Sequence, residues 1–107
     1  MKLYNRNNFI GGWFIGNFIP TIIPSNEVEV SIKRYKAGDY DQAHYHKEAD
    51  EITVIVEGMV SMNKIKYHTD DILWIEKGDI TDFLALTDAI TCVVKMPSVK
   101  GDKYLTK

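Results

Sequence analysis

Apolar and polar residues alternate with a period of two along most of this chain, in short runs broken by turn residues. That is the pattern of half-buried β-strands. Residues 28–35 alternate cleanly and then meet the turn Lys36-Ala37-Gly38-Asp39. Residues 44–46 follow, then 51–57 up to Gly58. Residues 60–62 and 65–67 predict a hairpin across Asn63-Lys64. Residues 71–75 stop at Lys77-Gly78-Asp79, and 83–86 and 89–96 flank the turn Thr87-Asp88. No window sustains the i, i+3, i+4, i+7 spacing of an amphipathic helix. About ten short antiparallel strands predict an all-β sandwich or barrel, organised as a single domain over residues 1–107. The tail 97–103 reads as an irregular, solvated loop.

The apolar stretch 9–23 invites a membrane or leader reading, because Lys2 and Arg6 precede it. It carries glycines, Pro20 and Asn17, no small-residue cleavage site follows, and it falls short of the ~20 residues a spanning helix needs. The expectation is short buried strands with aromatic packing. Composition narrows the partners. Thirteen Lys and Arg against fifteen Asp and Glu leave a net charge of −2, with no basic excess to neutralise a nucleic-acid backbone. The single Cys92 makes no internal disulfide and fits a reducing compartment; a cytoplasmic protein with no membrane partner is expected. Cys92 itself reads as a small core residue. With 45% hydrophobic residues, a chain of this mass is expected to expose roughly 6,000 Å² when folded.

The chemistry concentrates in residues 38–58. His44 and His46 stand two apart, so in a strand both imidazoles project from one face, and Glu51 opens the next strand. Two imidazoles and a carboxylate on one face suit a divalent transition metal with open coordination positions. Gly38 and Gly58 bracket the segment.

Gly38, five residues, His44-x-His46, four residues, Glu51, six residues, Gly58 is the spacing of the first motif of the cupin superfamily, and from about Val28 to about Met96 the chain resembles a small single-domain cupin. The resemblance implies a jelly-roll β-barrel, often dimeric, with His44, His46 and Glu51 as ligands of a divalent metal such as Fe, Mn, Zn or Ni. The second motif is partial. Asp70-Asp71 stands for its Gly-Asp and Glu76-Lys77-Gly78 for its Pro-x-Gly, while Thr81, followed by Asp82, occupies the place of its histidine. Thr81 is a poor ligand but able to hydrogen-bond a metal-bound water, and Asp82 ligates only if the register slips by one.

Strand 28–35 leaves two alternatives. With its apolar face inward, Arg34 reaches the pocket; with the other face inward, Lys33 and Tyr35 do. A surface strand with snorkelling cations is the default. His68, beside the turn Thr69-Asp70, is expected in solvent, as are Glu48 and Asp50. Apolar N-terminal residues such as Phe9, Trp13, Phe14 and Phe18 exceed what a small lumen needs, which predicts a homodimer packed through them. Two functions follow. One is a metal-dependent enzyme acting on a sugar or small organic acid, by isomerisation, epimerisation, decarboxylation or oxygenation. The other is a non-catalytic binding or scaffold module, with or without metal.

Overall fold

The computed structural model describes residues 1–106. After two turns of 3-10 helix at Arg6–Asn8 and Ile10–Gly12 come eleven strands: β1 (Trp13–Gly16), β2 (Ile23–Pro24), β3 (Glu29–Tyr35), β4 (Tyr40–Tyr45), β5 (Asp50–Glu57), β6 (Met59–Met62), β7 (Ile65–His68), β8 (Ile72–Ile75), β9 (Thr81–Ala85), β10 (Ala89–Met96) and β11 (Tyr104–Leu105). They form a six-stranded sheet, β2-β1-β3-β10-β5-β8, facing a five-stranded sheet, β11-β4-β9-β6-β7. All pairings are antiparallel except β1 with β2. This is the all-β architecture expected from the strand pattern and the jelly roll that the resemblance implies. Among the described residues no helix is long and apolar enough to cross a membrane.

Local chemistry explains the turns. In Lys36–Asp39, His68–Asp71 and Glu76–Asp79 the fourth residue's N–H donates to the first residue's carbonyl at 2.9–3.0 Å. The fourth residue is always aspartate, and its carboxylate takes the first residue's N–H at 2.9–3.0 Å. The third residue has positive φ: 94° at Gly38, 88° at Gly78 and 77° at Asp70. A type II turn requires this, and glycine supplies it without steric cost. Asp70 is therefore the strained member of a set of three. The β6–β7 hairpin turns on Asn63 and Lys64, both at positive φ, as a two-residue type I′ turn demands.

The interior divides into two regions. At one end Ile55, Val60, Met62, Ile75, Phe83, Ala85 and Ala89 pack as the apolar core, with Tyr35 against it; the Tyr35 and Phe83 rings lie 4.5 Å apart. Beyond Tyr35 the inward face of the six-stranded sheet becomes polar: Glu29, Ser31 and Lys33 on β3, Thr91 and Lys95 on β10, Glu51 and Thr53 on β5. The opposite, outward face is apolar. Register sets Ile32, Cys92, Val54 and Ile72 in one row across it, and Val30, Val94, Ile52 and Trp74 in the next. None of these is buried, and Ile72 and Trp74 are 67% and 63% exposed. Cys92 thus sits half-buried on the outside of the sheet rather than in the core.

The tail is not a solvated loop. Ser98 and Asp102 are buried, and β11 extends the smaller sheet beside β4. Tyr104 stacks on Tyr45 at 5.5 Å and carries the Lys47 ammonium 4.1 Å from its ring centroid. Nothing in the polar composition of 97–103 signals this docking, because its contacts are made to a segment more than fifty residues away.

The Asp70 side chain makes no hydrogen bond in this set, so Asp70→Gly relieves the left-handed backbone at little other cost. Relief of roughly 1 kcal/mol less the extra chain entropy of glycine leaves a gain of about 0.5 kcal/mol. The melting temperature is expected to rise by about 2–4 °C in a thermal unfolding scan. An unchanged or lower value contradicts the strain assigned to this turn.

Candidate functional site

A cavity of about 370 Å³ opens where the inward face turns polar, between the two sheets and the docked tail. His44 is held by β4. An irregularity in the β4–β9 register between Asp41 and His44 lets these residues, three apart, both line the cavity. It also brings the Gln42 carbonyl 2.8 Å from His44 Nδ1. His46 is the residue after β4 ends; it is buried, with its ring centroid 5.4 Å from that of His44. Its Nδ1 meets the Asp102 carbonyl and its Nε2 lies 3.2 Å from Glu51 Oε1. Glu51 Oε2 accepts from the Thr53 hydroxyl at 2.8 Å. Burial alone pushes the Glu51 carboxyl up, but hydrogen bonds from His46 and Thr53, with the His46 and Lys95 charges, outweigh it and hold it below 4.5.

This arrangement has a chemical consequence. With Nδ1 donating to a backbone carbonyl, the tautomer of each imidazole is set and Nε2 is the nitrogen left to act, as in metal-binding histidines. His46 faces an acceptor on both ring nitrogens, so its Nε2 requires a cation between it and Glu51, either a proton or a metal ion. The donor chemistry thus suits a metal. The geometry is less complete: among the described residues no three His, Cys, Asp or Glu side chains meet as a ready metal centre. His46 and Glu51 are paired, and His44 does not close the set.

Thr81 is the register partner of His44. It lines the cavity, and its hydroxyl donates to the Asp82 carbonyl at 2.9 Å. Asp82 also lines the cavity, but its Oδ1 takes the Asn63 N–H at 2.7 Å and ties down the β6–β7 turn. Tyr35 faces the cavity; burial, against a hydrogen bond with Thr91 and with the charges of Asp41, Glu51 and Asp39, pushes its phenol up to about 12. Arg34 does not reach the site. It lies on the opposite face of β3, exposed, beside Asn5, Arg6 and Asn7. The strand thus turns its Lys33 and Tyr35 face inward and is not the snorkelling surface strand taken as the default. His68 is in solvent, with 72% of its side chain exposed. Glu48 is exposed, and Asp50 accepts the Lys77 N–H.

Several site residues escape a motif reading. Asp102 takes the N–H groups of Lys47, Glu48 and Ala49 at 2.8–3.2 Å, which holds the turn between His46 and Glu51. Trp13 and Phe18, read as interface residues, line the cavity instead and pack edge to face at 6.3 Å. Lys95 carried a legible signal: it is the lone charge in an apolar strand and shares the parity of Thr91.

No family model matches the chain, and no curated protein matches it. Solved structures do. A protein with a double-stranded β-helix domain from Klebsiella pneumoniae superposes with a TM-score of 0.73 at 14% identity, covering 99% of this chain and 93% of its own. The DMSP lyase DddQ from Ruegeria pomeroyi superposes at 0.69 and 18% identity over 88% of this chain and 49% of its own. A sugar phosphate isomerase from a cupin superfamily of Silicibacter pomeroyi gives 0.62 and 23% over 67% and 52%. At these identities the likeness is one of fold.

Asp102 generates the test of this geometry. Asp102→Ala strands three backbone N–H groups and is expected to cost about 2–4 kcal/mol. Burial pushes the Asp102 carboxyl up, but the N–H donors of Lys47, Ala49 and Glu48 and the His46 charge pull it net below 3.8. Its contribution is therefore full above pH 3.8 and disappears as the pH falls through the lowered value. Asp102→Asn should flatten that acid limb of the stability profile in urea titrations. An unchanged limb removes Asp102 from this role.

Proposed function

Given a cupin fold, we propose that the protein binds a small polar molecule, a sugar or small organic acid, in the cavity between the sheets and acts on it at the His46–Glu51 pair. The observation that carries this reading is that pair: a buried imidazole and an ionised carboxylate 3.2 Å apart on the wall of a 370 Å³ cavity. A divalent transition metal would be held by His44, His46 and Glu51. When bound, it supplies a Lewis acid that polarises a substrate oxygen.

The chain's own residues do the rest. Asp102 orients His46 through its carbonyl and holds the 47–49 turn through its carboxylate. Glu51, kept ionised at neutral pH, supplies the negative charge of that donor set. Tyr35, protonated across the working range, offers a hydrogen bond to a substrate oxygen. These roles suit holding and polarising a substrate oxygen, and the neighbours sugar phosphate isomerase and DMSP lyase support chemistry on small molecules in such a cavity. The single cysteine and the absence of a basic excess favour a cytoplasmic setting without nucleic acid.

A second reading is favoured by Thr81. The hydroxyl at the fourth ligand position is spent on the Asp82 carbonyl, and a three-donor set that does not close suits a binding or scaffold module without metal. Elemental analysis of untagged protein separates the two. The first reading expects about one divalent ion per chain, lost in the His44→Ala/His46→Ala variant, and turnover of a small sugar or acid abolished by Glu51→Gln. No metal after reconstitution, with no turnover, leaves the binding module.

A further inference from the structure

The carboxylates of the cavity other than Glu29 are bonded, while two half-buried lysines are not paired. Asp41 pairs with Lys103 at 3.0 Å. Glu51 is bonded by His46 and Thr53, Asp82 by the Asn63 N–H, and Asp102 by the 47–49 turn. Lys33 and Lys95 also line the cavity, on neighbouring inward strands, and neither enters a salt bridge among the described residues. Both ammoniums reach the same ring, 5.0 and 5.7 Å from the Trp13 centroid. Glu29 is the register partner of Lys95, and its own burial pushes its carboxyl up despite the Lys95 charge. Beside Lys33 across the β3–β10 ladder is Thr91, 1% exposed, whose hydroxyl meets the Tyr35 phenol and has no other hydrogen-bond partner among the described residues. Two like charges on one ring repel.

We infer that Lys33, Lys95 and the Thr91 hydroxyl form an oxyanion subsite that receives the phosphate or carboxylate group of the bound molecule. The inference rests on the small-molecule reading above and narrows its substrate class to anionic molecules. An oxyanion there pairs both ammoniums and accepts from the Thr91 hydroxyl. Burial, reinforced by Lys103 and Lys95 against the raising charges of Glu51 and Asp41, pushes the Lys33 ammonium down; a bound anion opposes that shift.

The test is calorimetric titration of metal-depleted protein with inorganic phosphate, with malonate, and with glucose as the uncharged control. Phosphate or malonate is expected to bind and glucose not to, the binding anion identifying the group received. Lys33→Met and Lys95→Met should each weaken binding about tenfold or more; if one variant fails to fold by circular dichroism, the other carries the comparison. Because the protein is metal-depleted, binding weakened by the lysine variants separates this subsite from the metal reading. No anion binding, or binding unchanged in the folded lysine variants, overturns the subsite.

Discussion

The inversion of polarity across the six-stranded sheet governs this structure. Antiparallel sheets commonly turn their polar face to water and their apolar face to the core. Here, over half of its length, the sheet does the reverse: Glu29, Lys33, Glu51, Thr91 and Lys95 point inward while Ile32, Val54, Ile72 and Trp74 point outward. Apolar packing cannot fill space walled by charges, so the true core is confined to the end where Ile55, Val60 and Phe83 meet. The remaining interior is a cavity, and each charge in it needs a partner.

The tail meets part of that need. Asp102 reaches across from beyond β10 and gives its carboxylate to the 47–49 turn and its carbonyl to His46. A single residue thereby fixes both the spacing between His46 and Glu51 and the ring nitrogen that His46 presents to the cavity. Tyr104 reinforces the attachment by stacking on Tyr45 under Lys47. The geometry of the site is set less by the strand carrying the histidines than by a segment docked against its end.

Legibility in the sequence followed the range of the interactions. Strand positions, the Asn63-Lys64 hairpin and the recurring turns were readable because alternation and positive-φ residues are local signals; β10 lies at the residues expected, Ala89–Met96. Asp70 as a stand-in for glycine was readable from its place before Asp71. The face of β3 was not, because period two is symmetric and Val30 and Ile32 look like core. Only the neighbouring polar positions Thr91 and Lys95, placed beside Lys33 and Glu29 by pairing, decide it. Asp102 and Trp13 were illegible for the same reason: each acts across more than fifteen residues of chain.

Face choice on β3 then links the two sides of the sheet. A strand has only two faces, so sending Lys33 and Tyr35 inward obliges Val30 and Ile32 outward. The same holds for β10, where Thr91 and Lys95 inward leave Cys92 and Val94 outside. Each polar residue given to the cavity therefore places an apolar neighbour on the surface. Exposed apolar area and cavity polarity are two consequences of one register. A slip of β3 by one residue would bury the valine and isoleucine but expel Lys33, Glu29 and Tyr35 from the cavity. The polar interior is what holds the strand in its observed register.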